Sequence, residues 1–159
     1  MKHYDLTDLR VLIVDDDGES RALMRDYLAD LGVGKVYQAR SGAEPLQFLK
    51  SASVELVISD IRMAPMSGDT FVRRLRDDSA NANRSVPVMM ATEEPDRMSI
   101  EAAKRAGVTS LMAKASDFDE FRQHVIGTLK RAGIALDVEE PDGISAVGPA
   151  DVPTGKAWE

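Results

Sequence analysis

The chain has 159 residues, no cysteine and a net charge of −7 at pH 7, with 43% apolar and 5% aromatic residues. That length holds one ordinary domain with some surplus, and the missing cysteines exclude disulfides and thiolate metal sites and point to a reducing cytoplasm. There is no charged-then-apolar leader and no apolar run of bilayer length, so secretion and membrane insertion are not expected.

Asp8 to Val14 reads as the first strand. The helix after it has apolar positions Leu23, Met24, Tyr27, Leu28 and Leu31 at a 3.6 period, with Gly32 as its stop. Lys35 to Ala39 is a weaker, mixed strand of the kind found at a sheet edge. Ser41 and Glu44 form a capping box for a helix through Leu46, Phe48 and Leu49. Val54 to Ser59 is the third strand, Phe71, Val72 and Leu75 mark the third helix, and Asp77 to Ser85 is a polar connection. Val86 to Ala91 is the fourth strand, with Pro87 tolerable only near its start. Pro95 suits the first turn of a helix to Ala106, which Gly107 ends. Thr109 to Ala113 is the fifth strand, and Ser116 caps a last helix with core face Phe118, Phe121, Val125 and Leu129.

Strand and helix alternate five times, which predicts an α/β fold: a doubly wound, five-stranded parallel sheet with right-handed crossovers. After Gly133 the periodicity stops. Residues 134–159 read as a disordered tail punctuated by Pro141, Gly143, Gly148, Pro149, Pro153 and Gly155. From Asp137 onward six acids face one base, Lys156. The folded part, residues 1–133, is nearly balanced. Neither part suits phosphate neutralisation on nucleic acid.

The chemistry collects where strands end. Asp15-Asp16-Asp17 follow the first strand, Asp60 the third, Thr92 the fourth and Lys114 the fifth. Ligands of open α/β sheets bind beyond the carboxyl ends of the strands, so one sheet edge gathers several acids, a hydroxyl and an amine.

Those residues, in that order, resemble the receiver domain of bacterial two-component response regulators, and the likeness to the single-domain chemotaxis regulators covers roughly residues 8 to 132. The resemblance implies the flavodoxin-like strand order 2-1-3-4-5. It implies that Asp60 is the nucleophile taking a phosphoryl group from a phosphohistidine, with Mg²⁺ as cofactor. Asp16 and Asp60 would ligate the metal directly, Asp15 mostly through water, and the backbone carbonyl of Arg62 would be the third protein ligand. Lys114 and Thr92 would contact the phosphoryl oxygens. The implied protein is no enzyme in the ordinary sense, since it catalyses only its own phosphorylation and dephosphorylation. The implied partners are a sensor histidine kinase or histidine phosphotransfer protein and an unknown downstream protein. Neither nucleic acid nor membrane is implied. The expected state is a cytoplasmic, stand-alone monomer or weak dimer through the face of the fourth helix, fifth strand and fifth helix.

Four positions depart from the family pattern. Ala115 replaces the proline after the lysine; a non-proline cis bond costs about 2.5–4 kcal/mol, so a trans bond and an altered loop are expected. Glu93 stands where a small residue is usual, Leu111 takes the place of the aromatic switch residue, and Pro65 comes one residue late. An ion pair between Arg62 and Glu93 or Glu94 is expected to gate the site. The competing function is a degenerate receiver acting as a phosphorylation-independent binding module, which Glu93, Leu111 and Ala115 favour. A Mg²⁺ phosphatase using Asp15 and Asp17 is a third reading, opposed by Glu19 and the lack of a cap insertion. An EF-hand loop fails for want of glycine at Ser20, and the acids would repel a flavin phosphate. Asp17 reads as a helix-terminal acid, and His3, His124 and the methionines as bystanders or core filler.

Overall fold

In chain order the elements are β1 (His3–Asp5), β2 (Arg10–Val14), α1 (Gly18–Asp30), β3 (Lys35–Ala39), α2 (Ala43–Leu49), β4 (Leu56–Ser59), α3 (Gly68–Asp77), β5 (Val88–Thr92), α4 (Arg97–Ala106), β6 (Ser110–Ala113), α5 (Phe118–Arg131) and β7 (Asp137–Glu139). They come from a computed structural model that describes residues 3–41, 43–114, 117–134 and 136–139.

The central sheet is wholly parallel in the order β3-β2-β4-β5-β6. That is the predicted 2-1-3-4-5 order with β1 added ahead of it. Side chains alternate between the two faces of each strand. Leu12, Val14, Val57, Val88, Met90 and Leu111 therefore pack with Phe71, Val72, Leu75 and Ala103 on one side. Val11, Ile13, Leu56, Ile58, Met89 and Met112 meet Met24, Leu28, Phe121, Val125 and Leu129 on the other. Both faces of β2, β4 and β5 are covered, which is why these strands are continuous apolar runs in the sequence. β3, at the edge, is only partly buried.

Local differences from the sequence reading have identifiable causes. Pro87 has no N–H to give to the ladder, so β5 starts at Val88 while the Pro87 carbonyl accepts the N–H of Val57 at 3.0 Å. Pro95 lies outside α4: Asp96 is the N-cap and accepts the Ser99 N–H at 2.8 Å, a stronger start signal than proline at the first helical position. Asp117 caps α5 by accepting the Glu120 N–H at 2.9 Å, whereas Ser116, the expected cap, lies outside the described residues. The Ser41 hydroxyl donates to the Met66 carbonyl at 3.0 Å, tying the turn before α2 to the loop before α3. Gly32 and Gly107 end α1 and α4 at φ 84° and 87°, the left-handed conformation that favours glycine.

The folded part also reaches past the predicted limit at 133. β7 pairs antiparallel with β1 in the register His3↔Glu139, Tyr4↔Val138 and Asp5↔Asp137. Ile134 and Leu136 pack on the α1–α5 side of the core. Lys130 Nζ donates to the Tyr4 hydroxyl at 2.6 Å. Thus His3 belongs to a strand and not to a loose terminus, and the expected tail is corrected over Asp137–Glu139. Residues 140–159, with Trp158, lie outside the described residues.

Candidate functional site

β2 and β4 are neighbours in the register Val14↔Ser59, so the next residues along each strand meet at the sheet edge. Asp15 keeps its backbone on the ladder by donating to Ala39 at 3.1 Å, and Asp60 does so by donating to Val14 at 3.0 Å. Carboxylate oxygens of Asp15, Asp16 and Asp60 consequently lie within 4.8 Å of one another. β5 ends in Thr92, buried at 2% exposure. Lys114 follows β6, and its N–H donates to the Thr92 carbonyl at 2.8 Å. Four of the five strand-end residues predicted from the sequence, Asp16, Asp60, Thr92 and Lys114, thus line a single cleft of about 300 Å³ together with Asp17, Arg62, Glu93 and Glu94, while Asp15 is fully buried beside Asp16 and Asp60.

The Lys114 ammonium lies 2.7 Å from Asp15 Oδ2 and 3.0 Å from Asp60 Oδ2. The contact with Asp15 is an ion pair without hydrogen-bond alignment, so this fully buried oxygen has no hydrogen-bond donor. Its other oxygen, Oδ1, accepts the Asp17 N–H at 2.9 Å, and Asp60 Oδ1 accepts the Ile61 N–H at 2.7 Å. Arg21 donates to the Asp15 carbonyl at 2.6 Å and fixes the strand end from α1. Burial pushes the Asp15 carboxyl above its ordinary value, and Lys114 and the Asp17 N–H only partly offset this. Burial also works against the Lys114 charge, but its contacts with Asp15 and Asp60 together outweigh it and raise that amine. In a simple pair the acid would shift down. Here the full burial of Asp15 outweighs the lysine, and the neighbouring Asp60 charge adds to the rise.

The donor set fits a hard divalent cation. Three carboxylates against one ammonium leave a local charge of about −2, oxygen is the only ligand type offered, and Asp15 Oδ2 has no donor. The expected carbonyl ligand, Arg62, sits in the loop after β4, and the residue lines the cleft beside Asp16 and Asp60. Its guanidinium pairs with Glu94 at 3.6 Å and with Asp96. Of the two expected partners of Arg62, Glu94 is the one that pairs with it, and Asp96 joins the pair. Glu93 is exposed on the cleft wall. Leu111 is buried against the α3–α4 side. Ala115 and its peptide bond lie outside the described residues; the late Pro65 follows a cis bond.

Two contributors were not legible beforehand. Gly68 opens α3 so close to the Asp60 backbone that a Cβ there would sit 1.9 Å from the Asp60 carbonyl oxygen. Ser20, on the first turn of α1, accepts a hydrogen bond from Lys114 Nζ at 3.3 Å. No spacing in the sequence gives Gly68 a role, and nothing in the helical period singles out Ser20.

A sheet edge that gathers these acids, a hydroxyl and a lysine defines a receiver-type signalling module. The chain belongs to the response regulator receiver domain family, whose model matches residues 11–126. It is 34% identical over 135 residues to the sensor histidine kinase TmoS of Ectopseudomonas mendocina, spanning 84% of this chain but only 14% of that protein. It is 32% identical over 106 residues to the chemotaxis protein CheY-3 of Vibrio cholerae, covering 67% of this chain and 80% of the relative. The high-resolution structure of the chemotaxis response regulator CheY4 of Vibrio cholerae superposes with a TM-score of 0.65 at 29% identity, over 78% of this chain and 98% of that one. Among the described residues no helix is long and apolar enough to cross a membrane.

Proposed function

We propose that the chain accepts a phosphoryl group on Asp60 from a phosphohistidine of a sensor histidine kinase or phosphotransfer protein, and signals by protein contact. The observation that carries this reading is the placement of Asp60 within reach of both the carboxylate cluster and Lys114. A carboxylate oxygen of Asp60 attacks phosphorus, the phosphorus–nitrogen bond breaks, and the imidazole keeps the electron pair. Asp16, Asp60 and the Arg62 carbonyl would hold Mg²⁺, with Asp15 acting through water. Bound there, the metal supplies charge neutralisation between two anions that otherwise repel. Lys114, already on Asp60, offers its ammonium to the arriving phosphoryl oxygens, and Thr92 offers its hydroxyl.

A phosphoryl group brings about −1.5 to −2 charge and three strong acceptors, enough to draw the Thr92 loop inward. Arg62 ties that loop, through Glu94 and Asp96, to the loop after β4, so the ion pair gates both entry to the site and survival of the phosphoryl group. The response then appears on the face of α4, β6 and α5, where Met98 is 80% exposed for a downstream protein. Absence of cysteine suits a reducing cytoplasm.

Intact-protein mass after incubation with acetyl phosphate and Mg²⁺ tests the reading. One added phosphoryl group, absent in Asp60→Asn and without the metal, supports it. No addition to the wild type would favour the phosphorylation-independent binding module, for which the charged Glu93 at the cleft mouth and the buried Leu111 speak.

A further inference from the structure

The Lys114 ammonium has three N–H donors and three polar neighbours around it. Two are the acids already described, at 2.7 and 3.0 Å; the third is Ser20 Oγ at 3.3 Å. The direction of that contact is fixed by the hydroxyl's own proton, which goes to Asp17 Oδ2 at 2.7 Å and leaves a lone pair for the lysine. Asp17 is itself anchored. It accepts the Ser20 N–H at 3.3 Å as the N-cap of α1, and its own N–H donates to Asp15. The first turn of α1 thus sends an Asp17–Ser20–Lys114 chain into the site.

Lys114 also borders a second cleft, of about 460 Å³, lined by Asp17, Glu19, Ser20, Leu23 and Glu93. Three of these are acids that attract an ammonium away from Asp60. Ser20 meets the lysine as a neutral acceptor and at the same time occupies Asp17, the nearest rival along the chain.

We infer that Ser20 is a positioning residue for phosphoryl transfer, holding the Lys114 ammonium on Asp60 and out of the acid-lined cleft beside α1. The inference rests on the proposed phosphorylation of Asp60. Losing the hydroxyl releases Asp17 and removes the third acceptor together, while the backbone cap is untouched because it uses the Ser20 N–H.

The test uses the full chain as wild type, Ser20→Ala and Ser20→Thr, with acetyl phosphate varied at saturating Mg²⁺. Ser20→Ala is expected to lower the maximal phosphorylation rate by about three- to tenfold, the range for one ordinary hydrogen bond. The half-saturating donor concentration should stay the same, and Ser20→Thr, which keeps the hydroxyl, should stay within about twofold of wild type. Mg²⁺ affinity by calorimetry should not weaken in Ser20→Ala, since a freed lysine competes less for the acids. A wild-type rate in Ser20→Ala overturns the inference alone. Equal losses in both variants, or weaker Mg²⁺ binding with a lowered melting point, overturn it in favour of a purely structural role. A wild type that takes up no phosphoryl group overturns the functional reading on which it rests.

Discussion

Replacing Lys114 with methionine keeps most of the stem and removes the one positive charge among three carboxylates. The lysine is 11% exposed, Asp15 0% and Asp60 9%. At the 2.7 Å separation from Asp15, the attraction is about 6 kcal/mol for an effective dielectric near 20. Desolvation of both ions takes back part of this, and removing one member of a buried pair costs about 3–5 kcal/mol. The cleft admits water, so about 3 kcal/mol is expected in metal-free buffer near neutral pH. That corresponds to a melting point lower by about 6–12 °C for a domain of this size. The loss should depend on pH in a defined direction. Burial already raises the Asp15 carboxyl, and without the lysine it rises further. A carboxyl raised on folding favours the folded state at low pH and loses that contribution as pH rises through its folded value. Lys114→Met should therefore approach wild type as pH falls toward the ordinary carboxylate value of about 3.9, and Mg²⁺ should narrow the gap at neutral pH. Urea denaturation across pH, with chelator and with Mg²⁺, measures all three effects. A gap below about 1 kcal/mol that ignores both pH and metal would refute the electrostatic account of the cluster.

At Gly68 an added methyl group would meet backbone 1.9 Å away. Gly68→Ala is expected to cost about 1–3 kcal/mol by forced displacement and to slow phosphorylation, as urea denaturation and acetyl phosphate labelling would record; an unchanged midpoint would show that the loop yields freely. Arg62 is 57% exposed, so Arg62→Ala should change stability by no more than about 1 kcal/mol, yet shift both phosphorylation and dephosphorylation rates. Unchanged rates would remove the gate. The Asp96 carboxyl is held below its ordinary value first by the Ser99 N–H, then by the Ser99 side chain and less by Arg62, so its cap contribution is complete above the unfolded value and fades as pH falls through the lowered one. The stability difference between wild type and Asp96→Ala in urea should accordingly vanish in strong acid; a difference that persists there would mean that the side chain acts by packing.

Why some of this was legible in the sequence and some was not follows from the range of the interactions. Strands β2, β4, β5 and β6 announce themselves because burial on both faces demands apolar runs, and the site residues announce themselves because they break those runs at the sheet edge. The order of the strands is invisible to periodicity and came from the motif set. β1 and β7 are three residues each, too short for alternation, and their pairing joins residues more than 130 positions apart. Asp96 was passed over because Pro95 offered a familiar start signal, although an acid two residues before Met98 is the better cap. The approach of Gly68 to Asp60 and the bond from Lys114 to Ser20 depend on where α3 and α1 enter the sheet edge, which no local pattern encodes.

Chemical mapping of the phosphorylated residue tests the central claim most directly. Borohydride reduces an acyl phosphate of aspartate to homoserine, which marks the acceptor through digestion and peptide sequencing. Homoserine at position 60 alone, dependent on acetyl phosphate and Mg²⁺, is the predicted result. Homoserine at Asp15, Asp16 or Asp17, or none under conditions that label a working receiver, would contradict the assignment of Asp60 as the nucleophile.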